Sequence, residues 1–268
     1  MSFFAHIDFM HSVAGLLVGL LVGLTGVGGG SLMTPLLVLM FGVNPQTAVG
    51  TDLLFAASTK TAGSAVHGWR ETVDWRIVRR LALGSLPAAV TVLIVLNTTG
   101  KVDKSTQHIL MVVLAVMLVL TSVAVSFQRQ LIIWAARIKP LDDRQVLLPT
   151  IVLGAILGTA VTVTSVGAGA IGVTALLMLY SKLPVNRIVG TDIAHAVPLT
   201  LVAGFGHWWI GDVDFTLLGN LLLGSVPGVI VGSLISTRSS DRFLRPALAA
   251  VLLVSGWQLF EKAMKVVG

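Results

Sequence analysis

Eight long apolar blocks account for most of the 268 residues and leave little polar sequence between them. A straight membrane-spanning helix needs about 20 apolar residues, and six of the blocks have that length. The other two are longer, and glycine interrupts both. Charged residues make up 11% of the chain, against roughly 25% in soluble domains, so lipid is the expected solvent for its surface. The blocks are residues 12–42, 47–67, 76–97, 106–127, 146–180, 188–208, 215–236 and 243–261. The sequence therefore predicts an all-α integral membrane protein with a single membrane domain.

The second half of the chain repeats the first. Val49-Gly50-Thr51-Asp52 recurs 140 residues later as Val189-Gly190-Thr191-Asp192, and Leu83-Gly84-Ser85 recurs at the same offset as Leu223-Gly224-Ser225. The two glycine-interrupted blocks also align, at an offset of 139. Self-similarity over so long a stretch predicts an internal duplication.

The distribution of Lys and Arg residues in the loops and at the ends of the blocks predicts how the two repeats are oriented. If every block crosses the bilayer once, ten of these residues lie on one face and seven on the other. If each glycine-interrupted block instead enters and leaves on the same face, the division becomes thirteen to four, which fits the positive-inside rule better. We therefore predict two inverted repeats, each a glycine-broken re-entrant helical hairpin plus three transmembrane helices, with both termini outside. Eight plain spans with parallel halves remain the alternative.

The predicted organisation has three parts. Repeat one covers about 12–127, a basic cytoplasmic linker covers 128–145, and repeat two covers about 146–261. Residues 1–11 contain no Lys or Arg, so we expect no signal peptide there.

Several classes of protein are excluded by what the sequence lacks. It has no cysteine, which excludes disulfide scaffolds and thiolate metal sites. It has no Walker, zinc-protease or serine-hydrolase motif, so we expect neither an enzyme nor a cofactor. The net charge of +6 comes from basic residues between apolar blocks, where they set topology and do not form a nucleic-acid patch.

Two motifs in order resemble a known family. The run Gly26-Val27-Gly28-Gly29-Gly30-Ser31-Leu32-Met33-Thr34-Pro35, followed by Ala48-Val49-Gly50-Thr51-Asp52, is similar to the sulfite exporter TauE/SafE family. The likeness extends over essentially the whole chain. It implies a permease for sulfur-containing anions such as sulfite, sulfoacetate or thiosulfate-like species, in a bacterial inner membrane. In repeat two, Val166-Gly167-Ala168-Gly169 replaces the triple glycine, and Thr174 stands at the position of Pro35.

The glycine-rich breaks are the candidate substrate site. Helix N-termini bind anions because free N–H groups and the positive end of the helix dipole converge there. Glycine lets the backbone approach an oxyanion closely, and a sulfonate offers only acceptor oxygens. Close helix packing is the alternative role of these glycines. The candidate ligands are Gly28, Gly29, Gly30 and Ser31 in repeat one, and Thr164, Ser165, Gly167 and Gly169 in repeat two.

Lys60 lies farther from the ends of a predicted span than any other Lys or Arg. Intramembrane charges are costly and mark a pathway or an ion pair, so Lys60 is a candidate cation for the anionic substrate. The alternative is that its long side chain reaches the nearby basic end of its helix.

Polar residues beside the repeated motif are candidates for coupling or for structural capping. Asp52 and Asp192 are repeat-related and either accept hydrogen bonds from the neighbouring hairpin or exchange protons. Thr51 and Thr191 either cap or line the cavity. His195 lies three residues after Asp192, on the same helical face, and titrates near neutrality. Its repeat counterpart is Phe55.

These observations predict a secondary transporter for a small sulfur-containing anion, which works by alternating access at a midplane site between the repeats. We expect export, since an inside-negative potential favours the exit of an anion. The alternatives are an anion channel of the same architecture and a permease for carboxylates or other anions. The expected partners are the anion, the lipid bilayer and a proton or sodium ion for coupling. The oligomeric state stays open, with a homodimer among the options.

Overall fold

The computed structural model describes residues 8–25, 30–69, 73–98, 104–135, 142–236 and 241–267. Every regular element in these ranges is an α-helix, which agrees with the prediction of an all-α chain. The helices are α1 (Phe9–Thr25), α2 (Gly30–Leu39), α3 (Pro45–Trp69), α4 (Trp75–Thr98), α5 (Lys104–Ala135), α6 (Asp143–Thr164), α7 (Ala170–Leu179), α8 (Val185–Trp209), α9 (Phe215–Ser236) and α10 (Asp241–Val267).

Six of these helices are long and apolar enough to cross a membrane, judged by length and composition: α4, α5, α6, α8, α9 and α10. Large apolar side chains cover their outer surfaces. Leu148 is 68% exposed, Leu234 71% and Trp257 69%. Such surfaces need an apolar solvent, so the prediction of a multi-pass membrane protein agrees with the helices observed.

The helices of the two repeats pack against each other in matched pairs. Helix α1 packs on α9, and its repeat counterpart α6 packs on α4. Helix α3 packs on its own counterpart α8, and α5 packs on its counterpart α10. Each repeat therefore places its first helix against the other repeat, so that neither forms the core alone.

The direction of each pairing follows from its contacts. Along α5 and α10, the His108 ring Nδ1 lies 2.9 Å from Ala263 O, and Ser122 Oγ donates to Ala249 O at 2.7 Å. Rising numbers on α5 meet falling numbers on α10, so these two helices are antiparallel. Helices α3 and α8 are antiparallel as well, because Gly50 lies against His207 and Leu54 lies against Gly204.

Glycine makes the closest helix crossings possible. Gly154 and Gly158 of α6 pack directly on the backbone of Leu81 and Ser85 of α4. The repeat-related Gly15 and Gly19 of α1 pack in the same way on Leu221 and Ser225 of α9. Small residues at such crossings allow helix backbones to touch, which is a common source of packing energy in membranes.

Helices α6 and α7 fold back on each other. Thr150 Oγ1 lies 2.7 Å from the Tyr180 hydroxyl just beyond the end of α7, and Leu157 contacts Gly172 near its start. The two helices are therefore antiparallel, and the chain returns to the end at which α6 began. Helix α7 has ten residues, a length of about 15 Å, roughly half of a ~30 Å hydrocarbon core.

Gly84→Ala and Gly219→Ala form a matched pair that tests the close packing. A Cβ at Gly84 would overlap Ile151 O, whereas one at Gly219 would meet no heavy atom within 4 Å. We expect Gly84→Ala to lower the free energy of unfolding by about 1–3 kcal/mol through overpacking. Gly219→Ala should leave it unchanged or raise it by up to ~1 kcal/mol, because alanine has the higher helix propensity. Thermal unfolding in detergent measures both, and equal effects would contradict a backbone contact at Gly84.

Candidate functional site

The break between α6 and α7 contains four of the predicted ligands. Helix α6 ends at Thr164 and α7 begins at Ala170. Three residues of the break have positive φ angles: Ser165 (+58°), Gly167 (+122°) and Gly169 (+115°). Glycine adopts positive φ without strain, which explains its presence at two of these positions. Thr164 Oγ1 accepts a hydrogen bond from Val166 N at 3.1 Å and so satisfies one backbone group of the break. Ser165 Oγ is buried and has no hydrogen-bond partner among the described residues.

The predicted ligands of repeat one are only partly visible. Gly28 and Gly29 lie outside the described residues. Gly30 begins α2, and Ser31 follows it with 3% exposure. The role of this first glycine run as a binding site stays a prediction.

Asp52 connects α3 to α2. Its Oδ2 accepts hydrogen bonds from the backbone N of Thr34, at 3.2 Å, and from the Thr34 hydroxyl. Its Oδ1 is buried without a partner among the described residues, and Ser165 of the α6–α7 break faces the same carboxylate. Asp52 therefore fixes the short helix of its own repeat and also lies beside the break of the other repeat.

Asp192 takes the corresponding place in repeat two. The backbone N–H of Gly169 faces its carboxylate, just before α7 begins. Its Oδ1 packs on Gly172, where a Cβ would overlap it, and has no hydrogen-bond partner among the described residues. An acidic side chain next to a helix N-terminus is stabilising, so this contact fits structural capping.

Lys60 lies in the interior of the protein, with 7% exposure. It is close enough to both Asp52 and Asp192 to interact electrostatically with each. Asp52 and Asp192 are themselves 0% and 1% exposed. The site thus places one ammonium group between two carboxylates, one from each repeat.

His195 contacts a residue that the sequence analysis did not select. Its Nε2 lies 2.8 Å from Ser85 Oγ of α4, and its Nδ1 is buried without a partner among the described residues. The repeat counterparts are Phe55 and Ser225, and Ser225 Oγ has no partner in the described part of the chain. The histidine therefore makes the two repeats chemically different at this position.

Thr51 and Thr191 link the repeats to each other. Thr51 Oγ1 accepts a hydrogen bond from the backbone N of Asp214, at 3.1 Å, and Thr191 Oγ1 accepts one from Asp74, at 2.8 Å. Asp214 and Asp74 precede α9 and α4, the helices that carry the glycine crossings. Both threonines are completely buried, which favours the capping role over cavity lining.

A cavity of about 210 Å³ borders this region. It lies between α5, α7, α8 and α10, and Gly169, Ala170 and Asp192 are among the residues that line it. Gln128 and Arg245 also line it, and Arg245 Nη1 donates a hydrogen bond to Gln128 Oε1. The space is large enough for several water molecules or for a small anion.

Apolar side chains pack in the repeat-related region around α2, α3, α5 and α10. Leu32, Met33, Leu37 and Phe55 pack there in a cluster of buried apolar residues. Lys262 Nζ donates to Val38 O at 2.8 Å, near the C-terminal end of α2. The described structure thus has a cavity on the Asp192 side and apolar packing on the Asp52 side.

The sequence analysis missed Thr34, Ser85, Gly172 and Arg245. Two of these residues belong to sequence motifs that could have identified them. Thr34 belongs to the glycine-rich motif, and Ser85 to the repeated Leu-Gly-Ser triplet. Gly172 and Arg245 had none, because their roles depend on which helices meet.

Fold and site together define a polytopic helical membrane protein with buried charges around a broken helix, which is typical of secondary transporters. The family model described as "Sulfite exporter TauE/SafE" matches residues 12–259. The chain therefore belongs to the TauE/SafE family of membrane transporters. This membership confirms the family resemblance and the prediction of a transporter rather than an enzyme.

Several relatives support this assignment over nearly full length. The chain is 40% identical to "Probable membrane transporter protein YjnA" of Bacillus subtilis, over 91% of this chain and 96% of that protein. It is 29% identical to "Probable membrane transporter protein YdhB" of the same organism, over 89% of this chain and 96% of that protein. It is 23% identical to "Probable membrane transporter protein MJ0441" of Methanocaldococcus jannaschii, over 91% of this chain and 92% of that protein. No solved structure matches the chain significantly.

Ser85→Ala and Ser225→Ala test the contact between Ser85 and His195. We expect Ser85→Ala to lower the free energy of unfolding by about 1–3 kcal/mol, because it leaves a buried ring nitrogen without its partner. Ser225→Ala removes a buried hydroxyl that has no partner, so it should be neutral or stabilising. Both can be compared by thermal unfolding in detergent. A larger loss for Ser225→Ala would contradict the assigned hydrogen bond.

Proposed function

We propose that this protein moves a small sulfur-containing anion, sulfite or an organosulfonate such as sulfoacetate, across the membrane by alternating access. The single observation that carries the proposal is that polar and charged groups from both repeats meet at the break between α6 and α7. Ser165 and Gly169 of the α6–α7 break lie beside Asp52 of repeat one and Asp192 of repeat two, and Lys60 is within electrostatic range of both aspartates.

The proposed transport domain consists of two inverted repeats. Support comes from the antiparallel packing of α3 on α8 and of α5 on α10, since repeat-related helices then point in opposite directions. The antiparallel pair α6–α7 supports a re-entrant hairpin, because its second helix is about 15 Å long and the chain returns to the end where it started. Inverted repeats with discontinuous helices typically place the substrate near the midplane.

The chemistry of the break suits a sulfur oxyanion. Such an anion offers acceptor oxygens and needs donors. The break supplies the Ser165 hydroxyl and backbone N–H groups near Gly167 and Gly169, and Lys60 supplies a positive charge. Irregular backbone at membrane depth is stable only where protein or trapped water makes hydrogen bonds to its N–H and C=O groups. These groups are therefore suited to bind a polar ligand.

A carrier fits this arrangement better than a channel. The cavity is lined by Gly169 and Asp192, whereas apolar side chains including Met33 and Leu37 pack in the repeat-related space. Access to the site from one end at a time is the condition for alternating access.

We propose export as the direction and place the basic face in the cytoplasm, with both termini outside and the protein in a bacterial inner membrane. An inside-negative potential favours the exit of an uncompensated anion by about 2.3 kcal/mol per charge per 100 mV. Export then needs no further energy source, whereas uptake needs a coupled proton or sodium ion.

Proteoliposomes loaded with labelled sulfite or sulfoacetate test the proposal. We expect saturable efflux above that of protein-free vesicles when a membrane potential or a pH difference is imposed. Lys60→Gln should reduce the flux about tenfold or more, because a charge-assisted hydrogen bond contributes about 1.5–3 kcal/mol. Lys265→Gln is the matched control, since Lys265 is 72% exposed and pairs with Glu261 at the surface.

Two results would contradict the proposal. Flux no greater than in protein-free vesicles under either gradient would exclude these anions as substrates. Equal flux through Lys60→Gln and Lys265→Gln would show that Lys60 does not bind the substrate.

A further inference from the structure

The inner end of the cavity is also the N-terminus of α7. Gly169, Ala170 and Asp192 line it together. Among the first N–H groups of α7, Gly172 N donates to Gly167 O and Val173 N donates to Gly169 O. For Ala170 and Ile171 no acceptor is found among the described residues, as expected for the first residues of a helix. An anion that enters the cavity reaches N–H donors at this end.

One buried side chain also points to a ligand here. Asp192 is 1% exposed, it lines the cavity, and its Oδ1 lacks a hydrogen-bond partner in the described part of the chain. A buried polar atom without a partner costs about 1–3 kcal/mol. A donor, such as a proton or a water molecule, would relieve that cost at Asp192 Oδ1.

The Asp192 carboxylate already occupies the position that an anion would take. The Gly169 N–H faces it, so it acts as a resident anion at the start of α7. An incoming anion brings a second negative charge to the same helix end. Like charges that share a buried site disfavour each other's ionised form.

The charges around Asp192 do not offset a second anion at the start of α7. Lys60 of α3 interacts with Asp192 and also with Asp52, so one ammonium is shared by two buried carboxylates. Arg245 of α10 lines the same cavity, but its Nη1 donates a hydrogen bond to Gln128 Oε1. His195 follows Asp192 on the same helix, and its Nε2 contacts Ser85. The buried group of Lys60, Asp52 and Asp192 therefore carries a net negative charge when both carboxyls are ionised.

We propose that the substrate anion binds at the start of α7 only together with a proton, which Asp192 takes up from the solvent in the cavity. This inference rests on the proposed function and adds the identity of the coupling ion to it. A proton from the solvent binds to a carboxylate oxygen of Asp192. The anion then accepts hydrogen bonds from the backbone N–H groups at the start of α7, which the neutral carboxyl binds less strongly. The charge of the site is then the same before and after binding.

Asp192, and not Asp52, is the acceptor because of where each carboxyl lies. Thr34 holds Asp52 Oδ2 with two hydrogen bonds, and Asp52 is not among the residues that line the cavity. Asp192 lines the cavity and has an unpartnered oxygen. His195 is not among the residues that line the cavity, so a proton from the solvent there reaches Asp192 first.

Proton uptake also changes the driving force. A proton that crosses with a monoanion cancels its charge, so the flux responds to a pH difference rather than to the membrane potential. The flux then follows the combined concentration gradients of the anion and the proton, so export requires an outward anion gradient larger than any opposing pH difference, and the membrane potential that favours export of an uncompensated anion no longer contributes.

Calorimetry on the purified full-length protein tests the inference, with sulfite and methanesulfonate as probes. Methanesulfonate stays ionised throughout the accessible pH range, so any proton taken up belongs to the protein. For the wild type we expect about one proton per anion bound, read from the difference in binding heat between buffers of different ionisation enthalpy. The dissociation constant should rise by up to about tenfold per pH unit in the alkaline range.

Asp192→Asn and Asp52→Asn provide the matched comparison. Asp192→Asn imitates the protonated carboxyl, so it should bind the anion without proton uptake and with a pH dependence of less than about twofold per pH unit. Asp52→Asn tests the competing acceptor: it should still take up about one proton per anion, although its affinity changes because the variant removes a buried negative charge near Lys60. The buffer comparison on the wild type needs no variant, so the inference stays testable if a substitution prevents folding.

The outcomes separate this inference from the proposed function. Binding without proton uptake by the wild type, or uptake that persists in Asp192→Asn, overturns the role of Asp192 and leaves the sulfur-anion transporter standing. If Asp52→Asn loses proton uptake and Asp192→Asn keeps it, the proton binds to Asp52, and this result also overturns the role of Asp192. If the wild type binds neither probe at any pH, the proposed function fails and this inference fails with it.

Discussion

A helix that ends among buried residues, as α6 does at Thr164, must have its free backbone groups satisfied by protein, because bulk water does not reach them. This requirement explains the positions of the buried polar residues around the α6–α7 break. Thr164 Oγ1 accepts from Val166 N, and the Gly169 N–H faces Asp192. The same side chains that make the break stable therefore bring charge and hydrogen-bonding capacity to the centre of the protein.

The two repeats depend on each other for both packing and polar contacts. Helix α1 lies against α9, and α6 lies against α4, along glycine crossings where the backbones touch. Thr51 and Thr191 anchor the starts of α9 and α4, again across the repeats. A single repeat would leave these glycine surfaces and hydroxyls without partners, which gives a physical reason for the duplication to be retained within one chain.

The repeats share a backbone arrangement but differ in chemistry. His195 contacts Ser85, whereas Phe55 and Ser225 stand at the related positions without such a bond. A cavity reaches Asp192, and apolar side chains including Met33 and Leu37 fill the related space near Asp52. The two halves are therefore related in sequence but not equivalent in the groups that they place around the break.

The sequence alone determined the helical membrane class, the duplication and the family. Long apolar blocks admit few other folds, and the repeated Val-Gly-Thr-Asp motif is visible by inspection. The start of α7 just after Gly169, and the buried position of Lys60, also agree with expectations from the glycine run and the apolar block. Only the tertiary structure decided which residues meet. The contact of Asp192 with Gly172, the partner of His195 and the approach of Asp52 to Ser165 join residues on different helices. Helix periodicity fixes the face on which a residue lies, but the crossing of two helices fixes what that face touches.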